Sequence, residues 1–333
     1  MQWKRFYELA DRLFTLAPWA WMYDVDLFGV KDPVSGEIGY CGFLGSGGGI
    51  PGFALFRGNN GLFSYERMIE QNPEHVKWLE SYQLDGLLLT FRESDSLNQQ
   101  EIEELSMTGV EPGRRGLLPV LRDHVPGMMP WKVESPDMVS RMVTALEQAL
   151  IIADRFRTDP DLLDDTDGTP GRILVRVPHS DEEWTETWIQ EPIELSLEDT
   201  GDLLSLFLKS RCADQPNLRD EWFADVFYVP KPIILGQERP YLPQMVLLVS
   251  QDSQKVLGSG QFQPGDTSRR IEEFFVNTVE RAGGLPKAII ATRPESYRYW
   301  WPVASALGLD IKLRSEELIL EELKASYFDS FAI

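Results

Sequence analysis

The sequence predicts an α+β fold divided into two domains. Its 333 residues are more than a single compact core ordinarily serves. Apolar residues recur at helical spacing in some segments and alternate as in strands in others, in both halves of the chain. The acidic stretch DPDLLDDTDGTP between these halves is typical of a linker. We therefore predict an N-terminal domain over 1–158, a linker over 159–170 and a C-terminal domain over 171–333.

The first elements of the N-terminal domain follow from apolar spacing. Apolar residues recur on one helical face from Trp3 to Phe14, and Pro18 ends that helix. Residues 19–30 are rich in strand formers and alternate, which predicts a strand. The runs GEIGYCGFLG and FALFRG, joined by a glycine-rich segment, predict a hairpin.

Helices and strands continue through the rest of this domain. The pattern predicts a helix over 61–69, a buried strand over 84–92 and a helix start at Asn98. The stretch 117–131 is interrupted by prolines, which predicts irregular structure. Ser135–Pro136 then marks the start of a long amphipathic helix.

The C-terminal domain contains two predicted hairpins and a series of alternating helices and strands. ILVRVP and WTETWIQEP form the first hairpin, followed by a helix capped at Ser196 and the strand WFADVFYVP. MVLLVS and QKVLGSGQF form the second hairpin. A helix over 271–282, the strand KAIIAT, a helix over 297–307, the strand LDIKL and a helix at Ser315 follow. Because a helix connects them, KAIIAT and LDIKL are predicted to pair in parallel within a mixed sheet.

Composition limits the classes of partner and the cellular location. The formal net charge is −21, and residues 154–202 alone carry 15 acidic and 4 basic side chains, so nucleic acid is disfavoured as a partner. No apolar run approaches the roughly 18 residues that a membrane span requires. Cys41 and Cys212 are too few and too far apart for a disulfide framework or a zinc site. We expect reduced, buried thiols, a cytoplasmic location and no membrane partner.

Two segments resemble ligand motifs but lack essential positions. The glycine run over 42–49 is followed by a strand rather than a helix, and no Gly-Lys-Ser/Thr follows it, which predicts a turn instead of a phosphate loop. The acidic linker would place Leu163 and Leu174 at two calcium-ligand positions that require oxygen. The sequence therefore predicts no cofactor and no metal site.

Aromatic residues are concentrated near the N-terminus. Of the chain's 37 aromatic residues, 14 precede residue 66. Most belong to a core, but alternating aromatic residues in 19–23 and a Trp–Trp pair at 300–301 also suit a pocket or partner surface. Asp24 and Asp26 would share one face of a strand, either as an acid–base or metal pair or as its solvent side. The candidate binding surface comprises Trp19, Trp21, Tyr23, Asp24, Asp26 and Trp300.

Several longer phrases resemble a bacterial two-domain family of unknown function. They are PWAWMYDVDLFGVKDPVSGEIGY, LRDHVPGMMPW, ILVRVPHSDEEWTETW and the stretch from RPYLPQMVLLVS to LDIKL. Together they cover nearly the whole chain. The resemblance implies a bacterial source and supplies no activity and no functional residues.

The C-terminal half also resembles the ribonuclease H-like fold, whose nucleases hold two metal ions with acids on the first strand, the first helix and the fourth strand. With MVLLVS as the first strand, Ser250 stands where an aspartate is expected, and Asp252 lies in the turn. Glu272 on the helix and Glu295 after the next strand complete the candidate set, with Arg293 among them. The resemblance therefore implies a degenerate version of this fold.

Three functional hypotheses remain open at this point. The leading one is a non-enzymatic binding or accessory protein, which uses the aromatic surface and takes a protein or a small ligand as its partner. The second is a metal-dependent nuclease in which Asp252, Glu272 and Glu295 are catalytic. The third is a small-ligand sensor that shares the aromatic surface. The oligomeric state does not follow from the sequence.

Overall fold

A computed structural model shows two compact units. The first comprises Met1–Pro126 and Pro130–Glu194, and the second Gly127–Met129 and Leu195–Ile333. The structure describes residues 2–70, 82–97, 116–165, 169–179, 183–192, 202–236, 238–266 and 268–314, together with Ile102 and Glu322. The predicted helix starts at Asn98, Ser196 and Ser315, and residues 166–168 of the predicted linker, lie outside the described residues.

The first unit is built on an eight-stranded sheet in the order β6-β5-β4-β3-β2-β1-β7-β8. Every neighbouring pair is antiparallel except β1 and β7, which are parallel. The strands are β1 (Phe28–Lys31), β2 (Ile38–Leu44), β3 (Gly52–Arg57), β4 (Gly86–Glu93), β5 (Leu117–His124), β6 (Trp131–Lys132), β7 (Arg172–Pro178) and β8 (Trp184–Gln190). The hairpin predicted from GEIGYCGFLG and FALFRG is confirmed as β2 and β3.

Three helices of the first unit bury apolar residues against this sheet. They are α1 (Gln2–Leu16), α2 (Gly58–Glu70) and α3 (Pro136–Phe156). The larger core joins α1 and α3 to one set of alternate strand residues, including Phe43 and Leu55. The intervening strand residues, including Tyr40 and Phe56, pack in a separate core with Leu62 and Tyr65 of α2. The sheet therefore has α1 and α3 on one face and α2 on the other.

Two predictions for the first unit were wrong. Residues 19–30 do not form a strand: a short 3₁₀ helix at Pro18–Ala20 and turns occupy most of them, and only Phe28–Lys31 is extended. Trp19 and Trp21 pack against the core that includes α1, whereas Tyr23 is exposed. The stretch predicted to be irregular contains β5, because its prolines do not interrupt the antiparallel pairing with β4.

The second unit is a five-stranded mixed sheet in the order β11-β10-β9-β12-β13. β9, β10 and β11 are antiparallel neighbours, whereas β12 is parallel to β9 and to β13. The elements are α4 (Asp202–Cys212), β9 (Glu221–Tyr228), β10 (Gln244–Ser250), β11 (Val256–Phe262), α5 (Ser268–Ala282), β12 (Ala288–Ala291), α6 (Pro294–Leu307) and β13 (Asp310–Leu313). The predicted parallel pairing of KAIIAT with LDIKL is confirmed. No helix in the described part of the chain has the length and apolar composition needed to cross a bilayer.

The hairpin of β7 and β8 lies in the first unit, although the sequence placed it in the C-terminal domain. β7 adds to the eight-stranded sheet because it pairs in parallel with β1, at Gly29↔Val175 and Val30↔Arg176. Its residues Leu174 and Val175 are buried. The contacts thus divide the chain after Glu194, whereas the acidic stretch 159–170 connects two parts of one sheet.

These two divisions predict different folding fragments. We expect a fragment of residues 1–194 to unfold cooperatively and a fragment of residues 1–158 to lose cooperativity, because β1 then lacks a neighbouring strand. Burial of Leu174 alone is worth about 1.5–3 kcal/mol. Urea unfolding followed by circular dichroism measures this. A fragment ending at residue 170 separates the effect of the linker from that of the hairpin. Equal cooperativity of 1–158 and 1–194 would support the boundary at 159–170 instead.

Candidate functional site

The predicted aromatic surface is not assembled as a surface. Trp19 packs into the α1 core, with its ring centroid 6.1 Å from that of Phe14. Trp21 packs against the same core beneath the guanidinium of Arg157, which lies 5.4 Å from the indole centroid. Trp300 is fully buried in the core of the second unit. Tyr23 is 66% exposed, but one exposed ring does not make a binding surface.

Asp24 and Asp26 close turns instead of sharing the face of a strand. Asp24 Oδ1 accepts hydrogen bonds from the backbone N–H and the hydroxyl of Ser46, at 3.1 and 2.8 Å, and so holds the glycine-rich turn. Asp26 Oδ2 accepts the backbone N–H of Tyr23 at 2.6 Å. Burial raises the pKa of Asp26, against the effect of the Tyr23 N–H, and the nearby Asp164 adds to the rise. Their hydrogen bonds indicate structural roles for both carboxylates.

The candidate nuclease residues are not brought together. Asp252 lies exposed in the turn between β10 and β11, Glu272 is buried on α5, and Glu295 lies in the first turn of α6. No group of three His, Cys, Asp or Glu side chains in the described ranges is arranged to hold a metal ion. In addition, the first strand of the five-stranded sheet is β9 and not MVLLVS. This corrects the strand assignment from which these residues were chosen.

The interior acid of that first strand is Asp225, which the sequence analysis missed. It is fully buried on β9, and its Oδ1 accepts hydrogen bonds from the Ser296 hydroxyl and from the guanidinium of Arg293, with an Nη2–Oδ1 distance of 3.0 Å. The lone acid in WFADVFY was the available signal, because a charge within a buried strand requires a partner. That partner is the arginine that the sequence analysis placed among the candidate metal ligands.

A cavity of about 270 Å³ lies between α3 and the sheet of the first unit. Its buried end is apolar and includes Val30, Leu55, Leu87 and Ala145. Its lining residues come from four strands, two helices, the turn between β1 and β2 and the N-cap position of α3, so no linear motif marks it. The lining comprises Val30, Asp32, Glu37, Ile38, Gly39, Leu55, Phe56, Arg57, Gly58, Leu87, Ser135, Asp137, Met138, Arg141, Thr144 and Ala145.

Two small residues belong to the lining of this cavity. Gly39 lies on β2 within the cavity lining, and a Cβ atom there would stand 2.5 Å from Leu55 Cδ1. Ala145 lies on α3 and is 1% exposed. A larger side chain at Gly39 would collide with Leu55, which already covers this glycine. The cavity therefore depends on the residues chosen at the helix–sheet contact.

The mouth of the cavity is charged. Arg141 reaches from α3 to the turn between β1 and β2, where its Nη1 lies 3.0 Å from Glu37 Oε2 and its Nε 3.8 Å from Asp32 Oδ2. Asp32 Oδ1 also accepts the backbone N–H groups of Val34 and Ser35, which shapes this turn. Burial opposes ionisation of Asp32, but the bonds from Ser35 and Val34 and the charge of Arg141 outweigh it and lower its pKa.

Arg57, at the end of β3, fixes the other side of the mouth. Its Nε donates to Asp85 Oδ1 at 2.7 Å and its Nη1 to Asp123 Oδ1 at 2.6 Å, and Nη2 donates to the carbonyl of His124. Burial disfavours the charged guanidinium, but the hydrogen bonds and charges of Asp123 and Asp85 prevail and raise the pKa of Arg57. Arg57 is thus held rigidly by its own acids, whereas Arg141 is more exposed.

Cavity and fold together define the class of protein: an α+β module with a lined cavity on one face of its sheet, followed in the chain by a mixed α/β unit. A family model described as Domain of unknown function (DUF7309) matches residues 3–176, more than half of the chain, and the chain belongs to this family. A second model, Domain of unknown function (DUF6930), matches residues 208–328. A comparison with curated proteins finds no match. The two matches confirm the predicted two-domain family, and neither description carries an activity.

Removing the guanidinium of Arg57 should destabilise the first unit. We expect Arg57→Met to lower the free energy of unfolding by about 2–3 kcal/mol, less than the ~3–5 kcal/mol of a fully buried pair, because two carboxylates lose their partner. The expected loss is smaller because the Arg57 and Asp85 side chains are each 23% exposed. Urea unfolding provides the measurement. Arg12→Met is the control, because Arg12 is exposed on α1. Equal effects of both variants would contradict a structural role for the Arg57 network.

The lowered pKa of Asp32 predicts a pH-dependent contribution to stability. The carboxylate stabilises the fold above its unfolded pKa of about 3.9, and this contribution disappears as the pH falls through its lower folded pKa. Asp32→Asn should therefore lower the free energy of unfolding at pH 7 by less than about 1 kcal/mol, and with it the melting temperature, and have little effect in stronger acid. Thermal unfolding over a pH series measures this, with Asp11→Asn as the control. A difference that stays constant with pH would contradict the prediction.

Proposed function

We propose that the first unit binds a small organic molecule in the cavity beneath α3. The observation that carries this proposal is a buried apolar end combined with a polar mouth in one cavity. A concave, mainly apolar lining with a few polar groups is the usual form of a small-molecule site. A volume of about 270 Å³ lies just below the ~300–1,000 Å³ typical of small-molecule sites. The ligand is therefore expected to be small.

This proposal keeps the hypothesis of a binding protein and places the site away from the aromatic residues. It agrees best with the small-ligand sensor, because the cavity is lined by the first half of α3, from Ser135 to Ala145. A ligand held there contacts both a long helix and the sheet, and so it can change how firmly they pack. The nuclease hypothesis lacks such support, and loss of Mg²⁺- or Mn²⁺-dependent cleavage in Asp252→Asn remains its test.

We extend the proposal to the cellular location. Cys41 and Cys212 are both free and buried, which supports a reducing compartment. The family resemblance suggests that this compartment is a bacterial cytoplasm. The net charge of −21 supports a small molecule or a protein, rather than nucleic acid, as the partner.

A matched pair of α3 variants tests whether the cavity is free space in solution. Ala145 lines the cavity, whereas Ala149, one turn further along α3, is fully buried outside it. We expect Ala145→Leu to be tolerated because the added carbons enter free space, and Ala149→Leu to cost about 1–3 kcal/mol because it overpacks the core. Thermal and urea unfolding measure both effects. Equal destabilisation by the two variants would mean that the cavity is not free space in solution.

The same variant provides the control for ligand binding. A small-fragment collection should shift the methyl signals of Val30, Leu55, Leu87 and Met138 in ¹³C–¹H spectra of the full chain. Ala145→Leu should abolish these shifts while the remaining methyl signals stay in place. Fragments that leave all four methyl groups unchanged would refute the proposed function.

A further inference from the structure

The side chains at the cavity mouth have a net negative charge. Asp32, Glu37 and Asp137 contribute carboxylates, and Arg141 contributes one guanidinium. Arg57 also lines the mouth, but Asp85 and Asp123 compensate its charge. The mouth therefore presents an excess of carboxylates, within a protein whose overall charge is also negative. Both the local and the long-range potential favour a cation.

Hydrogen-bond acceptors at the mouth remain available. Asp137 is exposed in the first turn of α3, and its carboxylate has no hydrogen-bond or ion-pair partner within the ranges that the structure describes. Ser135 occupies the N-cap position of α3, but its hydroxyl makes no capping hydrogen bond. Glu37 bonds to Arg141 through Oε2, and its Oε1 faces Gly58. A ligand that donates hydrogen bonds would thus find acceptors on both sides of the mouth.

An anionic ligand is less well matched. The N-terminus of α3 carries a partial positive charge of about half an elementary charge, which would attract an anion. Asp137 already offsets this charge, and Arg141 is engaged by Glu37 at 3.0 Å. An anion would also face the carboxylate of Asp32. One partial charge does not outweigh the excess of full negative charges at the mouth.

We propose that the cavity selects a small cationic amphiphile, whose ammonium or related cationic group binds at Glu37 and Asp137 and whose hydrocarbon part lies against Leu55 and Leu87. This inference rests on the proposed function and specifies the chemistry of its ligand. The apolar end, with Val30 and Leu87, accommodates a short chain or a single ring. No hydrogen-bond donor is needed there, because the polar groups lie at the mouth.

Three probes of similar shape and different charge test this class of ligand. Phenethylammonium, phenethyl alcohol and hydrocinnamate are titrated separately into the full chain at pH 7, and the methyl signals of Leu55, Leu87 and Met138 report binding in the cavity. We expect phenethylammonium to bind about five- to tenfold more tightly than the alcohol, with hydrocinnamate weakest. The preference for the cation should decrease with added salt, because the mouth is partly exposed.

Carboxylate variants connect this preference to the mouth. Glu37→Gln and Asp137→Asn should each reduce the affinity for phenethylammonium about three- to tenfold and leave the affinity for the alcohol unchanged. Because Glu37→Gln also removes one of the two ion-pair partners of Arg141, Asp137→Asn is the cleaner variant. Glu8→Gln, an exposed position on α1 outside the cavity lining, is the control and should change neither affinity.

The outcomes separate this inference from the function on which it rests. If the alcohol or hydrocinnamate binds in the cavity as tightly as the cation, the ligand class is wrong and the proposed binding function stands. If phenethylammonium binds and neither carboxylate substitution changes its affinity, the inference is also overturned. If neither these probes nor the fragment collection changes the cavity methyl signals, the proposed function fails and the ligand class falls with it.

Discussion

The packing of α3 on the sheet is the contact on which the first unit depends. Residues from Val139 to Phe156 bury one side of this helix against α1 and the alternate residues of the strands. Because the apolar side is nearly continuous, the helix cannot rotate or slide without exposing it to water. Near the N-terminal half of α3, this contact leaves the cavity that Gly39 and Ala145 help to line.

The charged groups around that space are arranged by the same contact. Five charged residues occupy neighbouring strand ends on the α3 side of the sheet, where the carboxylates lie within ion-pair distance of Arg57 and Arg141. The five residues are Asp32, Glu37, Arg57, Asp85 and Asp123. Arg57 is immobilised by two acids, whereas Arg141 forms a more exposed pair that a ligand can exchange. The site thus combines a guanidinium that is held in place, Arg57, with an ion pair that can rearrange, that of Arg141.

The second unit illustrates how a buried charge limits function. Asp225 within β9 is balanced by Arg293 and hydrogen-bonded by Ser296, so the cation that this carboxylate requires is supplied by the chain itself. Local sequence reasoning chose Asp252 because it took β10 as the first strand. The error had a physical origin, because β9 and β10 are both nearly continuous apolar runs. The spacing of apolar residues does not show which of the two is the first strand of the sheet.

The sequence by itself determined the α+β class, the course of α1 and α3, and the hairpins, because apolar periodicity and turn residues act between neighbours in the chain. It did not determine that β7 joins β1, nor that 19–27 forms turns, because those outcomes depend on which surfaces meet in space. The cavity is also a feature that depends on which surfaces meet in space. Residues between Val30 and Ala145 enclose it, and only tertiary packing decides where a helix and a sheet leave a gap.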